Sequence, residues 1–314
     1  MEFRTLIQTS KSDYSISHTG STMLLGSCFA QHIANKLRQH KFNVATPFGV
    51  LYNPLSIANS LYFLLNKTQL TDKDIFLQHD VWKSYAFHSA YNNPSAQGLL
   101  HTLQEEINQS HTFLQQCNTL IITLGTAYVY YLNETNQVVA NCHKTDAKAF
   151  TRKRASLNEI VHTYTHLLTT LKAFNPSLQV ICTVSPIRHW KDGAHSNQLS
   201  KSILLLAIES LQEQFDFVNY FPAYELVLDD LRDYRFYEQD MLHPNTTAID
   251  YVWQHFSNTY FSEETKEINS KVYALTKNEI HKPISPESER YKEFMEQHAK
   301  KVHALRTQYP FLKL

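Results

Sequence analysis

Apolar residues along this chain alternate between two rhythms. Short unbroken runs are each followed by stretches in which apolar positions return every three or four residues. Thr22-Met23-Leu24-Leu25 is the first run. It ends at Gly26, and Phe29, Ile33, Ala34 and Leu37 then repeat with helical spacing, so the pattern predicts strand, tight turn, helix. Phe42-Asn43-Val44-Ala45 reads as a second short strand. It runs into the turn-rich Thr46-Pro47-Phe48-Gly49, after which Asn53-Pro54 opens a helix through Ile57, Leu61 and Leu64. Residues 71–93 are less regular, and Leu99 to Leu114 returns to helical spacing.

Three further runs are strand-like. Thr119 to Leu124 is continuous, apolar and β-branched, and stops at Gly125-Thr126. Gln179 to Val184 stops at Ser185-Pro186, and Phe217 to Phe221 is the last core strand. Helical spacing separates them at Leu157–Leu171 and Asn197–Gln214, and Ile249–Phe256 closes the core. Strands alternating with helices imply a parallel sheet with helices on both faces. Ligands in such sheets bind beyond the carboxyl ends of the strands. Gly26-Ser27-Cys28, Gly125-Thr126 and Ser185-Pro186-Ile187-Arg188 all fall at such ends, so separate regions converge on one rim. From about Ser262 the chain turns charged and helix-prone. Pro283 and Pro286 interrupt it, and Phe294, Val302 and Leu305 mark a final helix. This part is either packed on the core or makes a homo-oligomer contact.

Composition narrows the class. The 314 residues are 43% hydrophobic and 18% charged, which suits a filled globular core rather than disorder. Basic and acidic residues balance at 29 each, with no long basic stripe, so neither nucleic acid nor an anionic membrane is an expected partner. Arg152-Lys153-Arg154 reads as a solvated loop or helix start. The segment Met1-Glu2-Phe3-Arg4-Thr5-Leu6 lacks the apolar core of a signal peptide, and no run is long enough to span a bilayer, so a cytoplasmic location is expected. Cys28, Cys117, Cys142 and Cys182 are widely spaced and form no zinc motif, and no helical His pair appears. Free thiols, no metal and no cofactor are the expectation.

The most specific string is Gly26-Ser27-Cys28-Phe29-Ala30, which matches the motif that names the GSCFA family. Four more blocks follow in order: Thr46-Pro47-Phe48-Gly49 with Tyr52-Asn53-Pro54; Leu124-Gly125-Thr126-Ala127; Ser185-Pro186-Ile187-Arg188-His189 with Asp192-Gly193; and Tyr237 with Asp240-Met241-Leu242-His243-Pro244-Asn245. The chain therefore resembles that family, which itself looks like a branch of the SGNH (GDSL-type) hydrolases. The resemblance implies an SGNH-like (flavodoxin-like) three-layer α/β/α domain over residues 1–260, with a helical extension over 261–314.

It also implies roles. Asp240 and His243 stand as Asp-x-x-His, so one loop supplies a base and the carboxylate that orients it. Register with the Gly-Asp-Ser of SGNH enzymes puts Cys28 at the nucleophile position, and a slip of one residue makes it Ser27. A helix N-terminus favours a Cys28 thiolate. The plain alternatives are a buried filler thiol at Cys28 and a helix cap at Ser27. Candidate oxyanion donors are the nucleophile's own amide, the amide of Gly49, and the Gly125-Thr126 turn. SGNH enzymes carry Gly-x-Asn at that turn, and this chain has Gly125-Thr126-Ala127, so the Thr126 hydroxyl or the Asn53 carboxamide must substitute. Arg188 and His189 suit an anionic or hydroxylated substrate, with Asn53 and His88 in the same cleft. His143 reads as structural. The expected function is an acyl-ester hydrolase or acyltransferase acting on a small-molecule or carbohydrate-linked ester. The alternatives are an inactive glycan- or acyl-binding module and a redox-sensing thiol protein.

Overall fold

Alternate residues of each long strand face opposite ways, and here both faces are apolar. Met23 and Leu25 of β1 (Ser21–Gly26), Leu120, Ile122 and Leu124 of β5 (Thr119–Leu124), and Val180, Cys182 and Val184 of β9 (Gln179–Val184) enter one core. Leu24, Ile121 and Ile181, between them, enter a second core. Burial on both faces explains why these strands read as unbroken runs. Each fully buried Leu or Ile contributes about 1.5–3 kcal/mol.

The computed structural model describes residues 4–280 and 287–314. Residues 1–3, and Pro283 and Pro286, lie outside the described residues. The main sheet is parallel, in the order β2-β1-β5-β9-β10, where β2 is Asn43–Ala45 and β10 is Val218–Tyr220. The first core is covered by α2 (Pro54–Leu65), α3 (Ala96–Gln116), α4 (Leu157–Phe174) and α5 (Ala194–Gln214). The second is covered by α1 (Cys28–Gln39) and α7 (Thr246–Tyr260), with α6 (Ala223–Glu225) running into a π-helical turn at Leu226–Leu231. This is a three-layer α/β/α arrangement. Strand order reverses between β1 and β5, which opens a crevice at their carboxyl ends.

Two regions differ from the sequence reading. The irregular stretch holds an antiparallel hairpin, β3 (Phe76–Gln78) with β4 (Val81–Lys83). Arg152-Lys153-Arg154 is neither loop nor helix start. It belongs to β8 (Phe150–Arg154), paired antiparallel with β6 (Tyr128–Leu132), which also pairs with β7 (Val138–Val139). The charge masked the strand. Arg152 is held by Asp192 at 2.6 Å and lies 4.0 Å over the Tyr128 ring, so its length serves packing as well as solvation.

The C-terminal helices are α8 (Glu263–Ile280) and α9 (Glu289–Gln308). Ile268 and Val272 pack with Leu312 in a separate small cluster. Contact with the α/β layers runs through the Thr276 hydroxyl, which donates to the Gln39 carbonyl at 2.8 Å, and through Tyr273 stacked on His40. Among the described residues, no helix is long and apolar enough to cross a membrane.

Candidate functional site

The chain leaves β1 through Gly26 at φ +141°, where a side chain would meet the Thr123 carbonyl at 2.2 Å. Only glycine fits that approach. The turn is pinned by the Ser27 amide donating to Thr123 at 3.1 Å and the Leu51 amide donating to Gly26 at 2.8 Å. Ser27 is the N-cap of α1 by position, but its side chain makes no cap bond. It is 1% exposed, and its hydroxyl is buried without a hydrogen-bond partner. Cys28, the first residue of α1, is half-buried and lines an open cleft of about 530 Å³.

The helix terminus does not by itself make Cys28 a thiolate. Burial pushes the thiol up, against the pull of the Cys28 and Phe29 amides and of Lys201. The desolvation that comes with half-burial outweighs the dipole, so a base is needed.

His243 lines the same cleft. Its loop is self-supporting: the Glu238 amide donates to the His243 carbonyl at 2.7 Å, Tyr237 bridges Pro244, and Asn245 caps α7. Met241 takes φ +58° in the turn between Asp240 and His243. The ring Nδ1 of His243 meets Asp240 Oδ2 at 2.5 Å. The other oxygen, Asp240 Oδ1, accepts the amides of Leu242 and His243 at 2.9 Å each. Those amides, followed by the ring, hold the Asp240 carboxyl down at about 2, so it stays ionised. With Nδ1 donating to the carboxylate, Nε2 carries the lone pair. Asp240 itself lines a neighbouring pocket beyond the His243 loop.

The remaining expected residues divide. Asn53, His88, Thr126 and Arg188 line the cleft with Ser27, Cys28 and His243. Gly49 and Gly125 stand behind it. Gly49, at φ +77°, is pressed against His88 Cβ, and Gly125 against Ser27 Cβ. The Gly125 and Thr126 amides both donate to the Tyr52 carbonyl, at 2.8 and 2.9 Å, which takes them out of an oxyanion site. The Thr126 hydroxyl accepts from the Tyr128 amide and bonds Ser200. The Asn53 oxygen caps α2 and one of its N–H groups donates to Ser56, leaving the second N–H of the carboxamide. His143 Nε2 donates to the Ser84 carbonyl at 2.8 Å, and His143 is not among the cleft's lining residues.

Sequence reasoning missed Lys201. This side chain is 0% exposed, and its amine donates to the Gly125 and Ser185 carbonyls at 2.6 Å each. It therefore ties together the ends of β5 and β9. Burial pushes its pKa down to about 7, against the attraction of Cys28. A neutral amine keeps two N–H groups, enough for both carbonyls. The signal was present: Lys201 occupies the stripe of Leu204, Ile208 and Leu211, all buried. Tyr52 is a second residue whose place at the site the motif does not reveal. Its ring lines the cleft, edge-on to His189 at 5.6 Å, and burial followed by the Cys28 charge raises its phenol. Among the described residues, no three His, Cys, Asp or Glu side chains group as metal ligands.

Two family models match the chain: the GSCFA family over residues 21–256, and the GSCFA domain protein, C-terminal domain, over 272–314. No curated protein matches it in sequence. Among solved structures, it is similar to a family 3 carbohydrate esterase from Clostridium thermocellum, at 8% identity and TM-score 0.38, covering 81% of this chain and 98% of that one. It is also similar to a carbohydrate esterase family 3 structure from Talaromyces cellulolyticus, at 13% identity and TM-score 0.35, covering 82% and 99%. A third is a family two carbohydrate esterase from Clostridium thermocellum, at 12% identity and TM-score 0.39, covering 82% and 65%. At such identities no catalytic residue transfers from those proteins to this one.

Proposed function

The chain belongs to the GSCFA family, and from its cleft we propose an acyl-transfer enzyme that cleaves esters through a covalent thioester on Cys28. One observation carries this reading. Ser27 and Cys28 both line the cleft that holds His243, but the Ser27 hydroxyl is buried without a partner whereas Cys28 is half-buried, and His243 Nδ1 is engaged by Asp240, which leaves Nε2 for the thiol.

The chemistry balances as follows. His243 Nε2 takes the thiol proton as Cys28 Sγ bonds to the ester carbonyl carbon. The imidazolium formed is stabilised by the Asp240 carboxylate. The carbon–oxygen bond to the alcohol then breaks, and the leaving oxygen takes the proton back from His243. Water, or an acceptor hydroxyl, is deprotonated by the same nitrogen and attacks the thioester. The acid or new ester departs, and the thiol is restored. The Cys28 amide, the spare Asn53 N–H and the Tyr52 phenol are the donors available to the developing oxyanion. An O-acylated carbohydrate is the first natural substrate to try.

A binding-only cleft is favoured by one observation: the Gly125 and Thr126 amides are already committed to Tyr52. Intact mass after a pulse of 4-nitrophenyl acetate separates the two readings. The enzyme reading expects one acetyl group, mapped to the peptide containing Cys28 and lost on standing. A protein that never gains mass, and whose ester turnover equals that of His243→Ala, is a binding module.

A further inference from the structure

The cleft wall is one-sided in charge. Arg152, Arg188 and Lys191 line it, together with His88, His189 and His243, and no Asp or Glu is among its described lining residues. Arg188 also borders the neighbouring pocket that holds Asp233 and Asp240, with Asp233 paired to Arg235. Asp192, whose side chain is 2% exposed, sits behind Arg152 and binds its guanidinium, and Asp240 sits behind His243. Arg152 is thus neutralised as a pair, although its Nε is buried and without a partner. Arg188 is exposed and makes no hydrogen bond or ion pair among the described residues. Lys191 is exposed, donates to the Tyr130 hydroxyl at 2.7 Å, and lies 5.2 Å over that ring. Both keep an unpaired positive charge facing the cleft. Lys201, buried and bonded to the Gly125 and Ser185 carbonyls, is not one of these free charges.

The surroundings register this field. Burial first, then Lys201, Lys191, Arg152 and His243, push the His189 imidazole down to about 4. A cleft lined by one sign of charge concentrates counter-charged ligands. Tyr128 and Tyr130, which carry Arg152 and Lys191 on their faces, fix those cations in position rather than leaving them to wave in solvent.

Resting on the esterase reading, we infer that the substrate carries an oxyanion, a carboxylate or a phosphate, beside the ester, and that Arg188 and Lys191 bind it in the cleft that Cys28 lines. Arg188 offers a planar fork suited to either oxyanion, and Lys191 a point charge. The cation pair then selects substrate, while Cys28 and His243 perform the transfer.

Two measurements test this. The first compares phenyl acetate, 4-acetoxybenzoate and 4-acetoxyphenyl phosphate, which share an acetyl group and differ in charge. In the Arg188→Gln/Lys191→Gln double variant, the anionic-to-neutral ratio of kcat/KM should fall about tenfold or more, as loss of charged hydrogen bonds does. The ratio in the wild type should also fall with added salt. The larger of the two anionic effects tells phosphate from carboxylate. The second measurement needs no turnover. Cys28 and Cys142, both on this cleft, are alkylated with iodoacetate, an anion, and with neutral iodoacetamide, and located by peptide mapping. The iodoacetate-to-iodoacetamide ratio should drop about tenfold in the double variant. An unchanged ratio in both measurements overturns the inference. A reagent ratio that drops while no ester is turned over leaves the anion site standing and removes the esterase reading alone.

Discussion

Ser27 and Cys28 stand at the end of a strand buried on both faces, whereas Asp240 and His243 stand on a loop where their side chains are 47% and 44% exposed. The first pair is set by core packing: Gly26 is wedged against Thr123, and Lys201 ties β5 and β9 together underneath. The second is set by bonds within a few residues, from Asp240 to two amides and one ring. Rigidity at the proposed nucleophile therefore depends on the whole sheet, and orientation of the proposed base depends on one turn. Substitutions on the two sides should separate activity from stability in opposite ways.

The largest effect on activity is expected from Cys28→Ala, which should cost about 10³-fold or more in kcat and abolish the acetyl adduct. Next comes His243→Ala. Loss of a general base costs about 10²–10⁴-fold, and the unfolding free energy from urea titration should change by no more than about 0.5 kcal/mol, as for an exposed site. Collapse of folding in His243→Ala would break the contrast, because the base loop would then be part of the core.

Lys201→Met should act the other way, chiefly on stability. It strands the Gly125 and Ser185 carbonyls, each loss costing about 1–3 kcal/mol, partly offset by no longer burying an amine. Its pH signature has a fixed sign. The folded pKa is about 7 against an ordinary 10.5, so between those values the unfolded chain binds the extra proton. This group's contribution to stability therefore rises with pH across that window. The stability gap between wild type and Lys201→Met should widen from pH 7 to pH 10 in urea titrations. A gap that is flat or narrows on raising the pH would mean Lys201 is not held with a lowered pKa.

Much of this was legible in the chain. The unbroken runs at Met23–Leu25, Leu120–Leu124 and Val180–Val184 reveal strands buried on both faces, and the Asp-x-x-His spacing is short enough for one turn to close it. What stayed hidden depends on partners far away in sequence. Arg152 reads as solvated until Asp192 and Tyr128 are brought to it, so its strand was lost behind its charge. The oxyanion role given to the Gly125-Thr126 turn could not survive the Tyr52 carbonyl, a backbone acceptor that no side-chain pattern reveals. Lys201 was readable from helical periodicity, but its two carbonyl partners come from separate loops.

The smallest expected effect is that of Ser27→Ala, and it bears most directly on which side chain attacks. The hydroxyl has no hydrogen-bond partner and no solvent access. Folding therefore gains nothing from it, and taking away an unpaired buried hydroxyl is near neutral or slightly stabilising, within about 1 kcal/mol. Cys28 would keep its place at the start of α1, because the turn is held by the backbone bonds of Ser27 and Leu51 and by the fit of Gly26, none of which needs the Ser27 side chain. Ester turnover should stay within about threefold of wild type, and Cys28 should keep its iodoacetamide reactivity, with a rate still lowered by adding His243→Ala. Were Ser27 the nucleophile, its buried oxygen would have to turn out into the cleft that the residue lines, and two outcomes would follow. Ser27→Ala would lose most activity while Cys28→Ser kept it, and a fluorophosphonate would label position 27. Either result would reverse the assignment.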